Sequence, residues 1–264
     1  MRLPALLLAA ALLTGCGTAD STANEAPVER ATMVPDARKV PAAAGAEEAP
    51  RATLNELQAT ADDSVAAKAE TMRAVRLMRG VDVSHHQGAI DWERVVGDRI
   101  EFAWLKATEG TTFTDPTYVD NRDRARAAGL RVGAYHYFSI CGEGAPQAEH
   151  FVEVVGKQVD ASAWLPPAVD VELDPACSPT RDELLDRLRD FIAVAEKGTG
   201  RTVVVYAFPD LERRYRISEE LDRPRWVRRL GNRHPEGNWL VWQKSQTASV
   251  DGINTPVDLD LMRP

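Results

Sequence analysis

Residues 168–208 read AVDVELDPACSPTRDELLDRLRDFIAVAEKGTGRTVVVYAF, and the fold turns on them. AVDVEL (168–173) and TVVVYAF (202–208) are short, β-rich apolar runs of the length of buried strands. Between them Thr180 and Glu183 form an S/T-x-x-E capping box, a helix start in which each residue satisfies a backbone N–H near the other. Leu184, Leu185, Leu188, Phe191, Ile192 and Ala195 then recur at helical spacing, and Gly198 and Gly200 are expected to end the helix. Strand, helix, strand in this order predicts a parallel β/α unit.

The same texture extends outward. VDVS (81–84), FAWLKA (102–107) and RVGAYHYF (131–138) read as earlier strands, with a helix around Tyr118–Ala128 that stops at Gly129. After residue 210 the spacing shortens: RWVRRL, NWLVWQ and VDLDL read as strands with little room for helices between them. About eight strands in roughly 190 residues is short for a (β/α)8 barrel, which typically takes about 250. The expected fold is therefore α/β, an irregular TIM-like barrel whose later strands have lost their helices. Sites in such barrels sit at the C-terminal ends of the strands.

The chain upstream of residue 80 has other origins. MRLPALLLAAALLTGC is an apolar run too short to span a bilayer and reads as a secretory signal. Its end, Leu13 to Cys16, resembles a bacterial lipobox, which implies a signal peptide over 1–15 and lipidation of Cys16. Residues 16–50 are rich in Ala, Thr, Glu and Pro without apolar periodicity and read as a disordered tether. Residues 51–79 carry Leu54, Leu57, Val65, Met72, Val75 and Leu77 in a helix-forming background and read as a helical linker, leaving 80–264 for the barrel. Gly17, rather than Asp, after the lipidated residue favours the periplasmic face of the outer membrane, and so a lipid-anchored envelope location. A net charge of -8 excludes nucleic acid as the main partner. With Cys16 lipidated, Cys141 and Cys177 remain, as a candidate disulfide or as two separate thiols.

Within the strands the informative residues are acids. Asp170 and Glu172 are i and i+2 on one strand, so both project to the same face about 6–7 Å apart. Asp82 lies near the first strand and Asp258 near the last, and a closed barrel makes those strands neighbours. Four carboxylates thus converge on one opening. Clustered acids repel, so at least one is expected to hold a proton near neutral pH. A protonated acid beside an ionised one is what glycoside hydrolysis uses. His85 and His86 have no third ligand at metal spacing and are read as surface or hydrogen-bonding histidines; no metal or cofactor is expected.

GVDVSHHQGAIDW (80–92), FAWLKATEGTTFTDPTY (102–118), AAGLRVGAYHYF (127–138), LPPAVDVEL (165–173), WQ (242–243) and DGINTPVDLDL (251–261) together resemble, in order, the lysozymes of glycoside hydrolase family 25. The resemblance implies a (β/α)5(β)3 barrel and a muramidase that hydrolyses the β-1,4 bond between N-acetylmuramic acid and N-acetylglucosamine in peptidoglycan. It implies that Glu172 is the general acid, that Asp170 orients a substrate N-acetyl group acting as nucleophile, and that Asp82 and Asp258 shape the charge. Tyr135, Tyr137 and Trp242 stand at family-like positions, as sugar-stacking aromatics or as core packing; Lys106 and Glu109 pair with each other or with the acids. The chain departs from the family where RWVRRL replaces an LW-x-A-x-Y stretch, which leaves the groove wall around 225–232 open. The alternative function is a non-catalytic peptidoglycan-binding lipoprotein that retains the barrel.

Overall fold

The computed structural model describes residues 76–157 and 164–264. The signal peptide, Cys16, the tether and residues 51–75 of the helical linker lie outside the described residues. Nine strands are seen there: β1 (Met78–Val83), β2 (Phe102–Glu109), β3 (Phe113–Thr114), β4 (Arg131–Phe138), β5 (Ala168–Val171), β6 (Val204–Ala207), β7 (Arg225–Arg228), β8 (Val241–Ala248) and β9 (Val257–Met262). The helices are α1 (Trp92–Gly97), α2 (Tyr118–Ala127), α3 (Gly144–Val155), α4 (Arg181–Thr199), α5 (Pro209–Tyr215) and α6 (Ile217–Glu220).

Eight strands close into a barrel in the order β1, β2, β4, β5, β6, β7, β8, β9 and back to β1, while β3 forms a small antiparallel flap on the end of β2. All neighbours from β1 round to β8 are parallel. β9 runs antiparallel to both β8 and β1. Helical segments follow each of β1, β2, β4, β5 and β6, and the last three strands follow one another without any. This is the expected (β/α)5(β)3 arrangement. It brings the start of β9, not its end, to the C-terminal rim of the parallel strands.

Two apolar layers hold it. The outer one lies between strands and helices and includes Val81, Val83, Leu105, Val169, Val171 and the whole apolar stripe of α4 from Leu184 to Ala195. The inner one fills the lower barrel with Phe102, Trp104, Val204, Trp226, Val241 and Met262. Those rings need space on the facing strands: a Cβ at Gly80 would overlap the Phe102 ring, and one at Gly133 would overlap Trp104. Small residues on β1 and β4 are thus the complement of large ones on β2, as a close-packed interior requires.

Three boundaries differ from expectation. β1 begins at Met78, inside the stretch assigned to the linker, because Met78 and Arg79 pair with Met262 and Leu261 of β9. Gly198 lies within α4 rather than ending it; only Gly200 adopts the left-handed cap, and a Cβ at Gly198 would press on Val152 of α3 at 2.5 Å. β8 starts at Val241 and continues to Ala248, since Asn238 to Leu240 belong to a turn in which Trp239 Nε1 donates to the Pro235 carbonyl at 3.2 Å. Cys141, past β4, and Cys177, past β5, form a disulfide with Cα atoms 6.0 Å apart.

Candidate active site

A cleft of about 250 Å³ opens at the C-terminal ends of the parallel strands. That is below the roughly 300–1,000 Å³ of drug-sized ligand pockets, so it suits one sugar ring, with any longer glycan lying across the rim. β1 contributes Asp82, β2 Lys106, β4 Tyr135 and Tyr137, β5 Asp170, β6 Tyr206, β7 Trp226, β8 Gln243 and β9 Asp258; Glu172 follows directly on β5. The four acids singled out from the sequence all line it. Strand register explains the meeting: Asp82 stands opposite Asp258 across β1 and β9, and Asp170 lies between Tyr137 and Tyr206 on its two neighbours.

Burial raises the proton affinity of every acid in the group, because a carboxylate loses its hydration there. Asp170 is pushed well up by burial and then by the charge of Glu172, with Lys106 opposing. Glu172 is also raised, by burial first; Arg228, Lys106 and a hydrogen bond donated by Tyr137 hold it back. Asp258 is raised by burial and restrained by Gln243 and Arg228. Tyr206 donates to Gln243 Oε1 at 3.1 Å, so a polar chain runs from β6 through β8 to the acid on β9. Oxygens Asp82 Oδ2, Asp170 Oδ1 and Asp258 Oδ1 are buried and have no hydrogen-bond donor among the described residues. Chemically this is an acidic pocket in which burial favours the protonated form of each carboxyl.

The remaining expected residues separate. Tyr135 is buried against the acids and Tyr137 reaches Glu172, so both belong to the cleft. Lys106 is buried, with Nζ 2.6 Å from Glu109 Oε2 and 4.7 Å from the centre of the Tyr137 ring. It therefore pairs with Glu109, at the half-exposed rim, while its charge acts on Asp170 and Glu172 from a distance. Trp242 is a correction. Val241 and Gln243 face the barrel interior, so Trp242 between them faces outward, 1% exposed, its Nε1 donating to the Arg229 carbonyl at 2.6 Å. It packs with His234 and Trp239 and touches no ligand space. His85 holds the carboxylate of Asp115 through Nδ1 at 2.8 Å and through its backbone N–H at 2.9 Å, and His86 lies on the cleft's edge.

Several site residues went unnoticed in the sequence. Asp260 shares the face of Asp258 by the same i, i+2 rule that singled out Asp170 and Glu172, yet it is fully buried beneath the cleft and receives Trp226 Nε1 at 3.0 Å. Gln243 lay inside the quoted WQ pair, and alternation with Val241 was the available signal. Tyr206 and Arg228 had no such signal. They matter through partners from distant parts of the chain.

The described domain has clear relatives. The family model for "Glycosyl hydrolases family 25" matches residues 81–253. An uncharacterized protein of Escherichia coli K12, YegX, is 35% identical over 193 residues, covering 70% of this chain and 69% of that one. An autolytic lysozyme of Clostridium acetobutylicum is 33% identical over 186 residues, covering 69% and 55%. The crystal structure of a bacterial lysozyme from Streptomyces coelicolor superposes with a TM-score of 0.65 at 29% identity, covering 71% of this chain and 92% of that one.

Proposed function

The chain belongs to family 25 of the glycosyl hydrolases, and on that premise we propose that its acidic cleft is the active site of a peptidoglycan muramidase, with Glu172 as general acid and Asp170 as the residue that orients the substrate. The enzyme hydrolyses the β-1,4 bond between N-acetylmuramic acid and N-acetylglucosamine and acts outside the cytoplasm, on the cell wall. The observation that carries the assignment of roles is the pairing of Asp170 and Glu172 on one face of the cleft, both with proton affinity raised by burial.

Glu172 stands at the mouth, where a proton on its carboxyl reaches the glycosidic oxygen. The acetamido N–H of the sugar donates to Asp170, favouring its ionised form and leaving the proton on Glu172. The acetamido oxygen then attacks C1 as the glycosidic C–O bond breaks, and the proton of Glu172 goes to the departing oxygen. A cyclic oxazolinium results, its positive charge facing Asp170. Water, giving its proton to the Glu172 carboxylate, opens that ring at C1 and regenerates the Glu172 acid. Tyr137, which donates to Glu172, keeps the carboxyl aimed at the bond. Asp82 and Asp258 grip the sugar from the opposite wall.

Replacement Glu172→Gln removes the proton without changing shape, and kcat is expected to fall about 10²–10⁴-fold. Release of reducing ends from purified peptidoglycan is the measurement, with mass spectrometry of the products to distinguish N-acetylmuramic acid ends from N-acetylglucosamine ends. Products from the Glu172→Gln protein at the wild-type rate would remove Glu172 from the mechanism. The localisation follows from sequence context: Leu13 to Cys16 supports lipidation of Cys16, with residues 16–50 as tether and 51–77 as linker, holding the barrel at the periplasmic face of the outer membrane. Cys16→Ser should release the protein from the membrane fraction.

A further inference from the structure

We propose that Asp82 stays a neutral carboxylic acid because it donates its proton to Asp260, and that Asp260, sealed beneath it, is the positioning residue that keeps it so. This rests on the reading of the cleft as a muramidase site and assigns a state to one wall of it. The starting observation is a contact between two acceptors. The carboxyl groups of Asp82 and Asp260 meet within hydrogen-bonding reach, although an ionised carboxylate has nothing to donate.

Asp260 is 0% exposed, and its Oδ1 accepts from Trp226 Nε1 at 3.0 Å. Its Oδ2 has no donor, and neither does Asp82 Oδ2. Two buried carboxylates in contact, both charged and each with an orphaned oxygen, would be held apart by repulsion at short range in a medium of low polarisability. One proton between them turns the clash into a charge-assisted hydrogen bond and satisfies both orphans at once. The fold supplies the contact by construction. On antiparallel β1 and β9, Gly80 pairs with Asp260 and Asp82 with Asp258, so Asp82 and Asp260 are diagonal neighbours on the inner face.

The indole decides which partner keeps the charge. A donor fixed on Asp260 favours the ionised form of Asp260, so the proton resides on Asp82. The groups facing Asp82 from the other elements act in the same sense: Asp258 on β9 and Asp170 on β5 are acids, and Tyr135 on β4 and Tyr206 on β6 are neutral phenols. Asp82 is the member of the pair that lines the cleft, and Asp260 does not reach it. The wall facing Glu172 therefore presents a carboxylic acid rather than a second base. Its remaining carbonyl oxygen suits an N–H or O–H donor of the sugar.

Asp260→Asn tests this with the packing kept. The side-chain oxygen still accepts from Trp226, but the amide now donates to Asp82 and drives it to its ionised form. In infrared difference spectra near neutral pH, with aspartate carboxyls isotopically labelled, the protonated-carboxyl band that disappears in Asp82→Asn should disappear equally in Asp260→Asn. kcat/KM of Asp260→Asn should fall about tenfold, the effect of one misdirected hydrogen bond. Adding Asp82→Asn to Asp260→Asn restores a neutral side chain at position 82, so the double variant should recover activity over Asp260→Asn alone. A protonated band that persists in Asp260→Asn overturns the proposal, as does a double variant no more active than the single one. The spectra read the proton whether or not the wall sugar is cut, so failure of the muramidase reading is seen separately, as a wild type that releases no reducing ends.

Discussion

Arg228, the last residue of β7, carries a charge that bears on both Glu172 and Asp258 and stacks over Phe208 with its guanidinium carbon 5.0 Å from the ring centre. It stands in the stretch where the sequence departs from the family pattern, so the groove wall left open there is cationic. Its charge stabilises the ionised form of Glu172 and therefore lowers the pH at which the general acid is lost. Arg228→Ala should shift the alkaline limb of the kcat/KM profile to higher pH, because Glu172 then keeps its proton longer. A profile that moves to lower pH, or does not move, would show that the limb belongs to another group. The same residue-scale logic accounts for the cleft's aromatic composition. Tyr137 and Tyr206 present hydroxyls to Glu172 and Gln243, whereas Trp242, one residue out of phase on its strand, presents nothing to it.

At the scale of elements, the loops after β4 and β5 carry the disulfide, and β5 carries the reactive acids. The Cys141–Cys177 bond closes a span of 36 residues that includes α3 and β5. It lies on the rim side of both strands, so it restrains the segment leaving Glu172. In the chain-entropy account, closing a loop of that size contributes about 4 kcal/mol by reducing the freedom of the unfolded chain. The double substitution Cys141→Ser, Cys177→Ser should lower the urea midpoint, with a steeper slope because the unfolded chain without the cross-link exposes more surface. An equal midpoint in the two proteins would remove the bond from the stability of the domain. The capping box of α4 is the corresponding local device at the other side of that loop: Thr180 and Glu183 exchange backbone hydrogen bonds as their spacing predicts.

Across the whole molecule, the acid cluster sets how stability responds to pH. Asp82, Asp170, Glu172, Asp258 and Asp260 all bind protons more tightly folded than unfolded. The folded state then holds more protons than the unfolded one above the ordinary carboxylate range, and stability falls as pH rises through the folded values. His136 acts oppositely. Buried between Thr108 and Gln147, it is depressed to about 3, so its contribution is full above its ordinary value and is lost as pH falls below it. One histidine against several acids leaves the acids in control, and the melting temperature should rise as pH is lowered from about 8 to about 5. Thermal unfolding across that range checks the sign. A melting temperature that falls over it would mean that the acids are ionised in the folded protein.

What the sequence determined by itself was everything carried by local periodicity. The strand–helix–strand unit at 168–208, the stripe and cap of α4, the thinning of helices after residue 210, and Asp170 and Glu172 on one face all depend on residues a few positions apart. What only the tertiary structure decided were relations across the barrel. Trp242 and Gln243 differ by one residue, and only the inward side of β8 says which belongs to the cleft. Asp260 shares the strand face of Asp258, but burial under Asp82 and the indole of Trp226 give it a separate environment. The physical reason is that a side chain's direction follows from its own strand, while its proton affinity, partners and access to a ligand depend on charges and walls supplied by strands distant in the chain.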